Sequence, residues 1–230
     1  MCGIVGIVPR LGGDASVDDL DQMLRAIRHR GPEGSFYARG KAGPDQARPS
    51  FGFLRLGFTD IISGHQPLFN EDGRLMAVCN GEFYDHEEIR SELESRGHRF
   101  GTKSDSELVP HLYEEKGLDL FERLNGEFAF ALWDASSGSL VLARDRFGIK
   151  PLYLHEGRGA LVFASELKAI LTACPDARTV DQAVLGRFLL TGMQDEGSRT
   201  FFRDVRQLAP GTVLAIDAPG TVSYTHLRAH

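Results

Sequence analysis

The chain has 230 residues, of which 42% are hydrophobic and 25% charged, a composition typical of a globular protein. Its net charge of −6 argues against general binding to nucleic acid or to an anionic membrane, because both need a basic face. No stretch approaches the roughly 20 apolar residues needed to span a bilayer. Three widely separated cysteines, Cys2, Cys79 and Cys174, indicate a reducing compartment, so we expect a cytoplasmic protein.

The first half of the sequence predicts strands and helices in alternation. In chain order we expect a strand over 3–8, a helix over 16–30, strands over 51–58 and 75–79, and a helix over 86–96. Ser16 is a suitable N-cap for the first helix. Ser104 and Glu107 have the Ser-x-x-Glu spacing of a capping box, which predicts a further helix. Pro110 lies inside that helix, and we expect it to bend the first turns.

The second half predicts mostly strands. They cover 127–134, 139–144, 152–155, 160–164 and 212–217, with a short helix capped by Ser165 and a helix over 181–190. Residues 127–134 alternate bulky Phe and Leu with mostly small residues, which predicts a strand with two different faces. Because strands come in runs with helices between them, we expect an α+β fold with mostly antiparallel sheets.

A cysteine follows the initiator methionine directly. If Met1 is removed, Cys2 carries both a thiol and a free α-amine. That amine titrates near pH ~7.7–8.0, so it can accept the thiol proton and relay it during nucleophilic attack. The alternative is that Cys2 is a small apolar residue that opens a buried strand.

Further polar groups come at the ends of predicted strands and at a helix start. The Asn80 amide and the Gly81 N–H supply two donors for an oxyanion, and glycine permits close approach. Arg55 can bind a carboxylate bidentately, while Glu82 and Asp105 suit an ammonium group. A substrate with an α-carboxylate, an α-ammonium and an acyl group is an amino acid such as glutamine.

Several sequence motifs carry a family resemblance. They are Cys2-Gly-Ile-Val-Gly6, Arg28-His-Arg-Gly-Pro32, Gly64-His-Gln-Pro-Leu68, Asn80-Gly-Glu82, Ser104-Asp105, Arg144-Asp-Arg-Phe-Gly-Ile-Lys-Pro-Leu-Tyr153 and Ala164-Ser-Glu-Leu-Lys-Ala169. In this order they closely resemble the glutaminase domain of glutamine-hydrolysing asparagine synthetases, which are class II (N-terminal nucleophile) glutamine amidotransferases. The resemblance runs from residue 2 to about residue 217.

The resemblance implies a four-layer αββα fold, with two mostly antiparallel sheets between helical layers. It implies that Cys2, freed of Met1, attacks the side-chain amide of L-glutamine with its own α-amine as base. Asn80 and Gly81 would form the oxyanion hole. Arg55 would hold the α-carboxylate, and Glu82 and Asp105 the α-ammonium. No metal is expected, because the eight histidines show no spacing typical of zinc ligands.

The same resemblance divides the chain into a glutaminase domain over 2–217 and a tail over 218–230. Residues 223–230 fit no strand, so we expect a non-native or truncated segment there. In the family, ammonia passes to a C-terminal domain that uses ATP and Mg²⁺ to amidate aspartate. The sequence has neither a Ser-Gly-Gly-x-Asp-Ser loop nor a Walker motif. We therefore expect that synthetase domain to be absent and this chain to need no cofactor; a homodimer stays an open alternative.

Some positions depart from the family pattern, notably Phe53-Leu54, Gly57–Asp60 and Phe83. They favour a divergent branch with a different ammonia acceptor. One alternative is a relative that feeds a sugar-phosphate isomerase or phosphoribosyltransferase domain, which Arg30-Gly-Pro32 disfavours. Another is a non-catalytic regulatory domain, which Cys2 disfavours. We interpret Arg144-Asp145 and Lys150-Pro151 as a structural turn, and Arg28–Arg30 as either a pocket border or a helix terminus.

Overall fold

The computed structural model describes residues 1–10, 13–42, 47–56, 65–157, 159–194 and 197–217, and the backbone of 222–226. The strands are β1 Gly3–Pro9, β2 Gly13–Asp14, β3 Gly34–Arg39, β4 Ala47–Arg48, β5 Ser50–Arg55, β6 Leu68–Phe69, β7 Leu75–Phe83, β8 Gly126–Asp134, β9 Ser139–Arg144, β10 Tyr153–Gly157, β11 Ala160–Ala164, β12 Val205–Gln207, β13 Thr212–Ile216 and β14 Val222–His226. The α-helices are α1 Val17–Ala26, α2 His86–Ser95, α3 Leu108–Lys116, α4 Leu167–Ala173 and α5 Gln182–Thr191. Short 3₁₀ helices cover Arg28–Arg30, Asp105–Glu107, Gly117–Glu122 and Pro175–Arg178.

Twelve strands form two six-stranded sheets. The first sheet has the order β12-β10-β11-β1-β5-β3 and the second β14-β13-β9-β8-β7-β6. The pairings within both sheets are antiparallel, which confirms the predicted sheet type. A separate short parallel pair joins β2 to β4.

The two sheets pack face to face around an apolar core. Ile4 and Phe51 of the first sheet and Met76 and Trp133 of the second belong to that core. Helices cover the outer faces: α1 and α4 pack on the first sheet, and α2 and α3 pack on the second. These layers are the αββα arrangement that the family resemblance implies, so the predicted fold is confirmed.

Strand β8 shows how the sequence pattern produces this layering. Phe128, Phe130 and Leu132 point toward the helical layer, whereas Ala129 and Ala131 point toward the first sheet. The period-two alternation of side chains across a strand accounts for the difference. The small residues leave room for the bulky core residues of the facing sheet.

The prediction that the strand beginning at Leu75 ends at residue 79 is wrong. Strand β7 continues to Phe83, and Asn80 and Gly81 pair with Ala129 and Phe128 of β8. Asn and Gly disfavour strands by their own propensity. Here, pairing along the whole of β8 overrides that preference.

Two predicted helix starts also differ from the structure. Within the residue ranges given above, Ser104 makes no capping hydrogen bond. The Glu107 carboxylate accepts from the backbone N–H groups of Gly101 and Thr102, at 2.6 and 2.7 Å. Helix α3 begins at Leu108, so Pro110 lies in its first turn, where backbone N–H groups have no intrahelical partner. Pro110 therefore removes no intrahelical hydrogen bond, and the helix does not need the expected bend to accommodate it.

Ser165 does not cap α4, since its Oγ accepts from the Ile4 N–H at 3.0 Å and ties β1 to the start of that segment. Ser16, by contrast, is confirmed as the N-cap of α1, and its side chain accepts from the Asp19 N–H at 3.1 Å.

The expectation that residues 223–230 form no strand is wrong for part of that segment. Strand β14 pairs with β13, with Val222 opposite Ile216. Residues 218–221 and 227–230 lie outside the described part of the chain. No helix among the described residues is long and apolar enough to cross a membrane.

Candidate active site

A cleft of about 150 Å³ lies where one end of the first sheet meets β7 of the second. All six residues that the sequence predicts for the site line it: Cys2, Arg55, Asn80, Gly81, Glu82 and Asp105. Cys2 precedes β1, and Arg55 ends the neighbouring strand β5. Sites for drug-sized ligands usually measure roughly 300–1,000 Å³, so this cleft suits a smaller molecule.

Cys2 is half-buried and lies directly before the first residue of β1. Its Sγ lies 3.4 Å from both the backbone nitrogen and the carbonyl oxygen of Leu56. The Leu56 N–H therefore points at the sulfur and can stabilise negative charge on it. Met1 lines the same cleft, so the nitrogen that joins Met1 to Cys2 lies beside it.

Arg30 holds the backbone of Cys2 in place. Its Nε donates to the Cys2 carbonyl oxygen at 2.9 Å, and its Nη1 donates to Glu166 Oε1 at 3.0 Å. Burial alone would raise the pKa of Glu166, but hydrogen bonds from Arg30, Lys168 and His29 lower it below its ordinary value. Arg30, the last residue of the Arg28–Arg30 segment, thus borders the site through the backbone of Cys2.

One edge of β7 faces the cleft. Residues 79, 81 and 83 direct their backbone N–H groups to the same edge, because this direction alternates along a strand. The Cys79 N–H donates to Gln66 Oε1 at 2.6 Å, and the Phe83 N–H donates to Asp105 Oδ2 at 2.8 Å. The Gly81 N–H lies between these two side chains, on the cleft side of the strand.

Side chains alternate between the two faces of a strand, so the Asn80 side chain lies on the same face of β7 as that of Val78, which packs in the core between the sheets. Asn80 is 2% exposed, and its Nδ2 has no hydrogen-bond partner among the described residues. A buried amide donor without a partner is unfavourable by about 1–3 kcal/mol. Such a donor suits an oxygen that arrives with a ligand.

Glycine at position 81 is required by packing. A Cβ there would lie 2.5 Å from the Glu127 carbonyl oxygen and 2.7 Å from Phe128 Cα. These are backbone atoms of β8, so they cannot move aside independently. Glycine therefore permits the close approach of β7 to β8 at this position.

The groups expected to hold a zwitterion lie on opposite elements. Arg55 is buried at the end of β5, where its Nη1 lies 3.4 Å from His65 Nδ1. Asp105 is buried on the 3₁₀ helix before α3, and Ser106 Oγ lies 3.5 Å from its Oδ1. Glu82 lines the cleft but is exposed. The cleft therefore offers buried positive charge from the end of β5 and buried negative charge from the 3₁₀ helix before α3.

Sequence reasoning did not identify two further cleft residues, Gln66 and Lys150. The Gln66 carboxamide binds both the N–H and the carbonyl of Cys79. Lys150 donates to Glu127 Oε2 at 2.9 Å, and this hydrogen bond lowers the pKa of Glu127. Gln66 and Lys150 both lie in sequence motifs that carry the family resemblance, and those motifs were the signal that could have identified them. Gly64 and the Gly57–Asp60 departure lie outside the described residues.

The turn before Lys150 has the structural role that the sequence predicts. Asp145 accepts from the backbone N–H groups of Phe147, Ile149 and Lys150, each at 3.0 Å. Arg144 donates to the carbonyl oxygens of Gly148, Lys150 and Leu208. These bonds fix the segment that carries Lys150 to the cleft.

The other two cysteines differ from Cys2. Cys79 is fully buried, and burial raises the pKa of its thiol, with a further increase from the charge of Asp105. Cys174 follows α4, on the outer side of the first sheet. All three cysteines are free thiols.

Comparison with known proteins shows the family to which the chain belongs. A family model described as a glutamine amidotransferase domain matches residues 1–226. Asparagine synthetase [glutamine-hydrolyzing] 2 of Bacillus subtilis is 36% identical over 94% of the chain, and the amidase chyE of Penicillium rubens is 37% identical over 93%. The chain spans 29% and 32% of these two proteins, about a third of their length.

Solved structures show the same fold. Glutamine phosphoribosylpyrophosphate amidotransferase from B. subtilis matches with a TM-score of 0.68, and an allosteric regulatory enzyme of purine biosynthesis matches with a TM-score of 0.71. Each is 20% identical, and the match covers 100% of this chain and 50% of the other. At that identity the likeness supports the N-terminal nucleophile fold alone.

Proposed function

The chain belongs to the glutamine amidotransferase family, and on that premise we propose that it hydrolyses glutamine to glutamate and ammonia through Cys2. The observation that carries this proposal is the convergence of Cys2, Asn80 and Asp105 from three separate elements on one small cleft. A structural role for Cys2 would not need a second cleft residue such as Asn80, whose Nδ2 has no hydrogen-bond partner in the described part of the chain.

Maturation comes first in the proposed mechanism. Removal of Met1 converts the Cys2 nitrogen from an amide into an α-amine inside the cleft. That amine then takes the proton of the Cys2 thiol as Sγ attacks the amide carbon of glutamine. The carbonyl oxygen gains negative charge, which the Asn80 Nδ2 and the Gly81 N–H can stabilise.

The rest of the cycle returns the enzyme to its starting state. The carbon–nitrogen bond breaks, the proton held by the α-amine goes to the leaving nitrogen, and ammonia departs. A glutamyl thioester stays on Cys2. Water, deprotonated by the same amine, attacks the thioester carbon, and the carbon–sulfur bond breaks. The Cys2 thiolate takes back the proton from the α-ammonium, and the new carboxyl group loses its proton to solvent as glutamate leaves. Every proton is accounted for without a cofactor, and we expect none for this half-reaction.

Charge explains the choice of substrate. Arg55 suits the α-carboxylate of glutamine, and Asp105 suits its α-ammonium. Glu82 is a weaker candidate for binding the α-ammonium, because its side chain is exposed at the edge of the cleft. An amino acid matches both of the buried charges, Arg55 and Asp105, and a simple amide matches neither, so the cleft favours an amino acid.

The fate of the ammonia is a second part of the proposal. The family resemblance implies an ATP- and Mg²⁺-dependent synthetase domain that amidates aspartate. Exposed apolar residues beside the cleft support a partner surface there: Phe147 is 84% exposed and Ile149 51% exposed, next to Lys150. The fungal amidase is as similar as the bacterial asparagine synthetase, so another amide acceptor is the second candidate.

Glutamate release from glutamine tests the proposed hydrolysis. The wild-type chain should release glutamate, and Cys2→Ala should abolish the release. Cys174→Ala, the same substitution outside the cleft, should not. Equal rates in wild type and Cys2→Ala would exclude Cys2 as the nucleophile. No release by a folded wild-type chain that lacks Met1 would favour the regulatory alternative.

A further inference from the structure

A cluster of four side chains lies apart from the cleft, on the helical side of the second sheet. Glu71 belongs to the β6–β7 turn, His98 follows α2, and His111 and Glu114 lie on α3. Their ligand atoms all lie within 4.8 Å of one another. The two histidines are 13 residues apart in sequence, which is why their spacing does not suggest a metal site.

The interatomic distances in the cluster resemble those of a metal site. His98 Nδ1 lies 3.2 Å from His111 Nδ1. Glu71 places Oε1 3.2 Å from the first of these nitrogens and Oε2 3.5 Å from the second. Around a tetrahedral Zn²⁺ with bonds of about 2.0–2.1 Å, neighbouring ligand atoms are about 3.3–3.4 Å apart. The first two separations are close to the edges of that tetrahedron, and the third involves the other oxygen of the same carboxylate.

The other ring nitrogens face carboxylates. His98 Nε2 lies 3.3 Å from Glu115 Oε1, and His111 Nε2 lies 3.8 Å from Glu107 Oε1. Metal-binding histidines usually direct their second N–H to a carboxylate, which fixes the tautomer. His98 Nε2 lies within hydrogen-bond distance of its carboxylate, whereas the separation at His111 Nε2 is too long for a hydrogen bond. With a proton on each Nε2, both Nδ1 atoms present lone pairs to each other. Two lone pairs at 3.2 Å repel unless a cation lies between them.

Burial removes water as an alternative partner for these nitrogens. His111 is 0% exposed, and its Nε2 has no hydrogen-bond partner within the described ranges. Two hydrogen bonds orient the Glu114 carboxylate. Its oxygens accept from Arg74 Nη2 and Asn70 Nδ2, each at 2.9 Å. Each oxygen keeps a lone pair for a metal.

We propose that Glu71, His98, His111 and Glu114 bind one divalent transition-metal ion, with Zn²⁺ as the first candidate. Imidazole and carboxylate ligands together suit Zn²⁺ and its first-row neighbours. The ion joins α3 to the β6–β7 turn and the end of α2. Its role is structural, because all four ligands come from protein and none of them lines the cleft.

Zn²⁺ titration of the chelator-treated chain tests the site directly. The protein carries no polyhistidine tag, and Cys2→Ala serves as background so that this thiol does not contribute. Calorimetry should show one equivalent of Zn²⁺ bound, and the melting temperature should rise on binding. Co²⁺ at the same site should give the intense visible absorption of tetrahedral coordination.

Variants then assign the ligands. His98→Gln and Glu71→Gln should each weaken Zn²⁺ binding more than 100-fold, and Glu115→Gln should weaken it about 10–100-fold through His98. His86→Gln, on α2 but outside the cluster, should bind like the background protein. Glu71→Gln decides the matter if His98→Gln fails to fold, because Glu71 is partly exposed in a turn.

Two results would overturn the proposal. One is binding of well under half an equivalent of Zn²⁺ by folded protein, which would mean that a shared proton bridges the two Nδ1 atoms. The other is unchanged affinity in both His98→Gln and Glu71→Gln, which would place the bound metal elsewhere.

Discussion

Arg30 Nε donates a hydrogen bond to the backbone carbonyl oxygen of Cys2 at 2.9 Å. This contact joins the 3₁₀ turn after α1 to the residue proposed as nucleophile. The guanidinium is 8% exposed and is also bonded to Glu166. Arg30 is therefore a positioning residue, which acts on the reaction through the backbone of Cys2.

Replacing Arg30 should reduce catalysis more than substrate binding. We expect Arg30→Gln to lower kcat for glutamine hydrolysis about tenfold or more, because a hydrogen bond to a charged group contributes about 1.5–3 kcal/mol. KM should change less, since Arg30 does not line the cleft. Steady-state glutaminase kinetics measure the split. Arg28→Gln, an exposed position in the same segment, should leave kcat unaltered.

Glu166 should contribute stability that depends on pH. Its pKa is lowered in the folded chain, because hydrogen bonds from Arg30, Lys168 and His29 outweigh the effect of burial. A carboxyl with a lowered pKa stabilises the fold above its unfolded pKa, and this contribution disappears as pH falls through the folded pKa. The unfolding free energy of wild type should exceed that of Glu166→Gln by about 1 kcal/mol at pH 7.

That difference should shrink below pH 4.5, the ordinary value for this carboxyl. Urea unfolding between pH 8 and pH 3.5 measures it. Glu88→Gln, an exposed position on α2, should show no such trend. A difference that grows as the pH falls would contradict the proposed ion pair.

Asn80 should act on the transition state. Its Nδ2, which has no partner among the residues that the structure describes, can donate a hydrogen bond to the oxyanion, whose charge develops only as Cys2 attacks. Asn80→Ala should lower kcat about 10²–10³-fold, as the loss of a single oxyanion donor typically does. KM should stay within a few fold. The control is Asn125→Ala, beside the C-terminal end of β7. It removes an amide that is hydrogen-bonded to Asp85, and kcat should not change. A higher KM at unchanged kcat would assign Asn80 to ground-state binding.

Most of the fold is predictable from local patterns, but the site geometry is only partly so. The alternation in β8 specifies a two-faced strand, and Ser16 specifies the start of α1. The continuation of β7 through Asn80 and Gly81 is not predictable from propensity, because it depends on pairing with β8. The roles of Ser165 and Arg30 depend on contacts with residues 161 and 28 positions away. Such long-range partners leave no periodic signal in the sequence.

The Cys79 thiol should be unreactive toward alkylating reagents in the folded chain. Burial raises the pKa of its thiol, and the charge of Asp105 raises it further, while the thiolate is the reactive form. Iodoacetamide at pH 7.5 should leave Cys79 unmodified and alkylate Cys2, and glutamine should slow the modification of Cys2. Peptide mapping by mass spectrometry measures both sites. Alkylation of Cys79 at the rate seen in urea would show that the β7 edge opens readily.

Two glycine substitutions should have opposite effects on stability. In Gly81→Ala, the new Cβ would meet the Glu127 carbonyl oxygen at 2.5 Å, so β7 and β8 must separate. We expect a loss of about 1–3 kcal/mol in the free energy of unfolding, as for other overpacked sites. Gly186 lies in α5 with no atom within 4 Å of an added Cβ, so Gly186→Ala should gain about 0.5–1 kcal/mol. Urea unfolding of both variants measures the contrast. A neutral Gly81→Ala would mean that the close β7–β8 contact does not constrain the cleft.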